Sequence, residues 1–378
     1  MILPKIKLSE IQDNYLYYEF KSEAQKYEGS FIEVKKKVDY VSIKVDIFSR
    51  IPFYYFIHKR EIYGNSSFID LTKEIKNKKY SLSLNNVAIA SFLKNNSFLE
   101  NSTYFNEIHR VPAGSCLNFY YKNGSYSIDQ YYNFKQNKIE GNDISHISNE
   151  YTNLLSKNIN NYLIENKFNK TGISLTGGFD SRMILCILES LNLKPIAYHY
   201  GHKNSDDFKL TKILSQNYNL ENNIIEWKDM SYFKKNSDQI FYDTDFMLPL
   251  HHCHMHESIM SQKETVDTVF YGHFMDMQMQ SHFYNKKFDS NSSNKDVRSL
   301  LFNMWCGNKS AFSVLNVDIF EKIFSRETVE MYKSNIKNMI DKFSYLNSDK
   351  QYEIHYLLNH GTRRAIAQCQ LGSKYLDY

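Results

Sequence analysis

The chain has 378 residues, more than one ordinary core accommodates, so two domains are the natural expectation. Hydrophobic residues make up 42% and aromatics 15%, ample for packed interiors, while the net charge of +4 is small for this length. No compact basic cluster alternates with aromatics, and no segment approaches the about 18 apolar residues that span a bilayer, which sets aside nucleic acid and membrane as partners.

The five cysteines (Cys116, Cys186, Cys253, Cys306 and Cys369) are widely spaced, with no Cys-x-x-Cys. That pattern fits reduced thiols in a cytoplasmic protein better than a disulfide framework or a structural zinc site. The start, Met-Ile-Leu-Pro-Lys-Ile-Lys, lacks the continuous apolar core of a signal peptide. A soluble, cytoplasmic protein is expected.

In chain order, residues 36 to about 135 read as β-rich. Residues 38–45 alternate, 51–56 are aromatic around Pro52, and 117–121 and 126–132 flank a Lys122-Asn123-Gly124-Ser125 turn that signals a hairpin. A helix is predicted over 86–93, the lysines at 35–37 read as a solvated face, and the polar stretch 136–144 as a linker. From 146 onward the period changes. Helix (147–164), strand (171–175), helix (181–191), strand (195–200), helix (206–218) and strand (222–227) alternate, which argues for an α/β fold with a doubly wound parallel sheet. Beyond about 297 the pattern is mostly helical.

The most informative segment is Ser174-Leu175-Thr176-Gly177-Gly178-Phe179-Asp180-Ser181-Arg182. A strand that turns directly into a helix leaves backbone N–H groups directed at an anion, which the helix dipole favours. Gly177 and Gly178 let the backbone approach that anion, Thr176 and Ser181 add hydroxyls, and Asp180 can hold a Mg²⁺ that bridges phosphates. A bare Gly-Gly would be no more than a link between strand and helix. With acid, hydroxyls, strand and helix all in place, a pyrophosphate cradle is the better reading. No Gly-Lys-Ser/Thr follows and the Gly-x-Gly-x-x-Gly spacing is absent, so neither a Walker loop nor a dinucleotide fingerprint accounts for it.

This loop resembles the Ser-Gly-Gly-x-Asp-Ser loop of the N-type ATP pyrophosphatases, with Thr176 in the first Ser position. Other segments resemble the asparagine synthetase family in the right order. Asp46-Ile47-Phe48-Ser49-Arg50-Ile51-Pro52-Phe53-Tyr54-Tyr55 is similar to its Asp-x-Phe-Gly-x-x-Pro-Leu-Tyr-Tyr. The run from Thr103 through Ile108 and Pro112 to Gly114 is similar to Thr-x-Phe-x-x-Ile-x-x-Leu-Pro-x-Gly, and Gln130-Tyr131-Tyr132-Asn133-Phe134 to the Tyr-Trp-x-Phe that closes the family's first domain.

The resemblance implies a degenerate, truncated glutaminase-like (Ntn) β-rich domain over 1–135 and an ATP-pyrophosphatase (HUP-like) domain over 136–378. The family's nucleophilic cysteine position is Ile2 here, and its glutamine-holding arginine is Val45, so no glutaminase activity is expected. Tyr271-Gly272-His273-Phe274-Met275-Asp276-Met277 resembles the family's Gly-x-Gly-x-Asp-Glu, with Phe274 and Met277 departing from it.

By that resemblance Asp180 and Asp276 are the catalytic pair sharing Mg²⁺. Thr176, Gly177, Gly178, Asp180, Ser181 and Gly272 surround the phosphates of ATP, and the backbone at Leu175 and Tyr200 meets adenine. Asp206 and Asp207 match acids that open the next family helix, and suit a helix N-cap equally well. Arg363 and Arg364 match a paired arginine assigned here to salt bridging. The family continues past the point matching Tyr375-Leu376-Asp377-Tyr378 to bring in a lysine. The stretch His251-His252-Cys253-His254-Met255-His256 stays open between zinc ligation by His252 and His256, pocket lining and plain packing.

The implied activity is an ATP-dependent amide-forming ligase. A substrate carboxylate becomes an acyl-adenylate, and ammonia or another amine displaces AMP. The amine could be free ammonia, the product of a separate amidotransferase partner, or part of the substrate; a homodimer is compatible with this reading. The alternative is a catalytically inactive ATP-binding member acting as an interaction module.

Overall fold

The computed structural model describes residues 6–12, 15–18, 30–132, 143–272, 294–307, 317–342 and 344. The protein is α/β, with antiparallel sheets in its first half and a parallel sheet in its second.

In the first half, β1 (Tyr15–Tyr18), β2 (Phe31–Lys36), β3 (Tyr40–Val45), β7 (Ser115–Tyr120) and β8 (Tyr126–Gln130) form one antiparallel sheet in that order. A smaller sheet has β4 (Tyr54–His58) between β5 (Glu61–Asn65) and β6 (Ile108–Arg110). Alternation along each strand decides what is inside. Ile32, Val34, Val41, Ile43, Leu117 and Phe119 face a core shared with Tyr55 of β4. The other β4 face, Tyr54 and Phe56, packs on Phe68, Leu71 and Ile75 of α1 (Phe68–Asn77). The 122–125 turn joins β7 to β8 as an antiparallel pair, with Phe119 opposite Tyr126.

Three weakly matching segments of the sequence meet at one point here. The Asp46 carbonyl accepts from Ser49 N and Gly114 N, both at 2.9 Å, and the Gly114 carbonyl accepts from Tyr131 N at 3.0 Å. Gly114 has φ +64°, a conformation glycine adopts without strain. The Tyr131 hydroxyl returns to the Val45 carbonyl at 2.6 Å. The buried Asp46 carboxylate accepts from Phe48 N at 2.9 Å and Arg50 N at 3.0 Å.

In the second half, α3 (Ile144–Asn166) leads into β9 (Thr171–Ser174), α4 (Phe179–Ser190), β10 (Ile196–Gly201), α5 (Asp206–Asn217) and β11 (Asn222–Glu226). After α6 (Ser231–Asp243), a 3₁₀ turn (Leu250–His252) and α7 (His256–Lys263), β12 (Thr268–Phe270) joins the opposite side of β9. All neighbours in the order β11-β10-β9-β12 are parallel. The chain therefore steps outward from β9 through β10 and β11, then returns to the far side. Between β9 and β12 lies the switch point where ligands of such sheets bind, at the carboxyl ends of the strands. Ile173 and Leu175 are fully buried against Ile184, Leu185 and Leu188 of α4 and Ile159 of α3.

Helices α8 (Asn294–Cys306), α9 (Val317–Ile323) and α10 (Arg326–Asp341) come later in the chain. Their Leu301, Trp305, Phe320, Tyr332 and Ile336 share a core with Ala90 of α2 (Asn86–Asn95) and with Leu99. This packing crosses the 135/136 boundary of the sequence reading. The halves also meet where Asp245 accepts from Ser67 Oγ at 2.8 Å and Ile69 N at 3.3 Å, at the start of α1. Among the described residues no helix is long and apolar enough to cross a membrane.

Candidate functional site

The glycine loop runs from the carboxyl end of β9 into α4, whose N-cap is Gly178. Its hydroxyls staple the loop to itself. Ser181 Oγ accepts from Thr176 N at 3.1 Å and lies 3.1 Å from both Thr176 O and Thr176 Oγ1. Gly178 N donates to Thr176 Oγ1 at 3.1 Å, and Gly177 N to Asp207 Oδ1 at 3.0 Å. Three loop amides, those of Thr176, Gly177 and Gly178, thus have partners within the protein. The first turn of α4, at Phe179, Asp180 and Ser181, follows directly, and the N-terminal end of a helix favours an anion.

The glycines are set by close approach. A Cβ on Gly177 would stand 2.6 Å from Leu210 Cδ1, and one on Gly272 would stand 2.7 Å from Ser181 N and 2.8 Å from the Asp180 carbonyl carbon. Gly272, just past β12, therefore lies directly on the first turn of α4, which unites both sides of the switch point. Among the described residues a Cβ on Gly178 would meet only Thr176 Oγ1 within 4 Å, at 3.2 Å. Phe179 is 83% exposed, with the Arg182 guanidinium 4.3 Å over its ring and Arg182 Nε donating to Gly178 O at 3.3 Å. A cation is thereby held at the loop.

Asp180 lies in the first turn of α4, close enough to Tyr151 of α3 for its charge to add to burial in raising the Tyr151 hydroxyl pKa. Its predicted partner Asp276 lies outside the described residues, as do Arg363, Arg364, the 136–142 linker stretch and the C-terminal segment. No group of three or more His, Cys, Asp and Glu suited to a metal exists among the described residues. Mg²⁺ asks for less, taking one or two carboxylates and completing its shell with phosphate and water. Asp180 beside an anion-directed helix N-terminus fits that donor set.

The exit of β10, which pairs with β9, lies next to the glycine loop. On one face, Tyr200 stacks on Trp227 with centroids 5.3 Å apart and approaches His254 at 5.7 Å; burial pushes the Tyr200 hydroxyl up to about 12. On the other face, His199 Nδ1 lies 3.0 Å from Leu175 O, which also accepts from Thr211 Oγ1 at 3.1 Å. His199 and Thr211 escape a reading by motif. A polar ring in an otherwise apolar strand is their one trace in the sequence.

The histidine stretch does not form the helical pair expected for zinc. The 3₁₀ turn stops at His252 and α7 begins at His256. Both nitrogens of His256 have partners, Tyr232 Oη at 2.8 Å and Asp243 Oδ2 at 3.1 Å, and Cys253 is fully buried. Cys116 pairs with Ser42 Oγ at 3.0 Å, and burial raises its thiol pKa, the reverse of an activated nucleophile. The lysine run lies at the end of β2, where Lys36 Nζ donates to Ile11 O at 3.0 Å. A cavity of about 550 Å³, lined by residues including Asn160, Lys170, Asn192 and Glu221, opens at the amino ends of the strands, opposite the glycine loop.

No protein-family model matches the chain, and no curated protein matches its sequence.

Proposed function

We propose that the chain is an ATP-dependent, amide-forming ligase of the asparagine synthetase type, with a HUP-like ATP-pyrophosphatase domain and a non-catalytic Ntn-like first half. The observation that carries this reading is the glycine loop at the switch point of a parallel sheet, with Gly272 seated on its helix start. The N-terminal end of α4 would receive the pyrophosphate of ATP, and Arg182, held at the loop, would add positive charge where the leaving group gains negative charge. Asp180, with Asp276 as its expected partner, would hold a Mg²⁺, which would supply charge neutralisation.

A substrate carboxylate attacks the α-phosphorus, pyrophosphate leaves, and ammonia or another amine then displaces AMP from the acyl-adenylate. Positioning and electrostatics account for the rate, with no protein nucleophile. Carboxylate-dependent exchange of labelled pyrophosphate into ATP tests the reading. A second reading, nucleotide binding without turnover, draws on Asp207, whose carboxylate occupies the Gly177 amide. ATP binding without exchange for any acid in a broad panel would favour it.

A further inference from the structure

The cavity at the amino ends of the parallel strands has no part in the ligase reading. Its volume of about 550 Å³ is that of a small-molecule site. Three connections converge on it: the end of α3 with the turn into β9, the end of α4 with the turn into β10, and Glu221 just before β11. Hydrogen bonds fix these walls. Asp267 Oδ2 accepts from Asn169 N at 2.9 Å and from Lys170 N at 3.0 Å. Leu193 N donates to Leu188 O at 2.9 Å, and Ala197 N to Glu221 O at 2.8 Å.

The lining combines three kinds of surface. Leu163, Ile164, Leu193 and Ile196 give an apolar floor, with Ile164 left 63% exposed, and covering that surface favours an occupant with an apolar body. Phe168 adds an aromatic wall, paired with Tyr162 at 5.3 Å. Lys170 and Lys194 line the cavity as exposed cations, with no ion-pair partner among the described residues. Glu221 is exposed there too, and it also has no ion-pair partner among the described residues. The last turns of α3 and α4 end beside it, and a helix C-terminus favours a cation. A simple anion leaves Glu221 and the helix ends unanswered, and a simple cation leaves the lysines. A dipolar molecule answers both.

We propose that this cavity binds a free α-amino acid with an apolar side chain. The carboxylate meets Lys170 and Lys194, the ammonium meets Glu221 and the helix ends, and the side chain covers the floor. The four residues of β9 separate the cavity from the glycine loop, a rise of about 13 Å, so the occupant stays clear of the chemistry proposed there. The proposal stands whether or not the chain uses ATP.

The test is NMR spectroscopy of the full chain with labelled isoleucine and leucine methyl groups, titrated with L-phenylalanine to about 10 mM. Signals of Ile164, Leu193 and Ile196 should move and saturate. Three analogues each remove one element: N-acetyl-L-phenylalanine the ammonium, phenethylamine the carboxylate, and glycine the side chain. Each should bind about tenfold or more weaker than phenylalanine. Glu221→Gln should narrow the advantage over N-acetyl-L-phenylalanine to less than about threefold, and Lys170→Gln combined with Lys194→Gln should do the same for phenethylamine. The analogue series on the wild type stands even if a variant fails to fold. Cavity signals unmoved by phenylalanine, an analogue that binds as tightly, or a selectivity unchanged in the folded variants would overturn the proposal. ATP binding enters none of these readouts, so failure here leaves the ligase reading to its own test.

Discussion

The Asp207 carboxylate accepts from the Gly177 amide at 3.0 Å, tying the first turn of α5 to the tip of the glycine loop. The contact orders the loop and also sets a negative charge beside the place proposed for phosphate. Order and affinity are therefore opposed at this one residue.

Asp207→Asn separates the two effects. The amide oxygen still accepts from Gly177 N, but the charge is gone. Metal-free ATP should bind roughly fivefold tighter, since partly exposed charge pairs are worth about 1 kcal/mol. Calorimetry in the presence of a chelator, at fixed ionic strength, checks this.

Gly178→Ala should leave the fold intact and damage the site. Among the described residues its Cβ meets only the movable Thr176 hydroxyl, so stability should change by no more than about 0.5 kcal/mol. ATP affinity should drop about tenfold or more, because the methyl group obstructs the approach of phosphate to the backbone. Gly272→Ala behaves differently. Its Cβ would press on the backbone of Asp180 and Ser181, at a cost of about 1–3 kcal/mol that a urea melt will read.

Stability should fall in mild acid. Burial depresses the pKa values of His199 and His109, so the unfolded chain binds protons first as pH drops below the ordinary histidine value of about 6.5. Their stabilising contribution is complete above that pH and is lost as pH falls toward the folded-state values. Urea melts between pH 7.5 and pH 5 should show a declining midpoint, and the decline should be shallower in His199→Gln.

Asp46→Ala should destabilise the protein by about 2–4 kcal/mol, because the Phe48 and Arg50 amides lose a buried charged acceptor beside Arg110. The midpoint of denaturant unfolding reports it. ATP binding by the variant that stays folded should be unchanged, since this turn belongs to the first half.

What the sequence made legible was local. A strand, two glycines, an acid and a helix in immediate succession define the loop without help from elsewhere, and the alternation from 171 to 227 defines a parallel sheet. The β2 strand was hidden by its own lysines. Lys35 and Lys36 suggested a solvated face, while Phe31, Ile32 and Val34 of the same strand fill the core. The helix α1 was hidden too, although Ser67 caps it through Asp70 N. Packing of α2 with α8 and α10 joins residues more than 200 positions apart, beyond any periodic signal. The contact of His199 Nδ1 with Leu175 O depends on β10 lying parallel beside β9, which no local pattern shows. The spacing of His252 and His256 suggested a helical pair, but the chain changes direction between them.

The most direct measurement is calorimetric titration of the full chain with MgATP, beside Asp180→Ala. The account predicts one site per chain in the wild type. It also predicts at least about a tenfold loss of affinity in the variant, whose fold is verified by an unchanged circular dichroism spectrum. Absence of binding to the wild type, or equal affinity in both proteins, would contradict it.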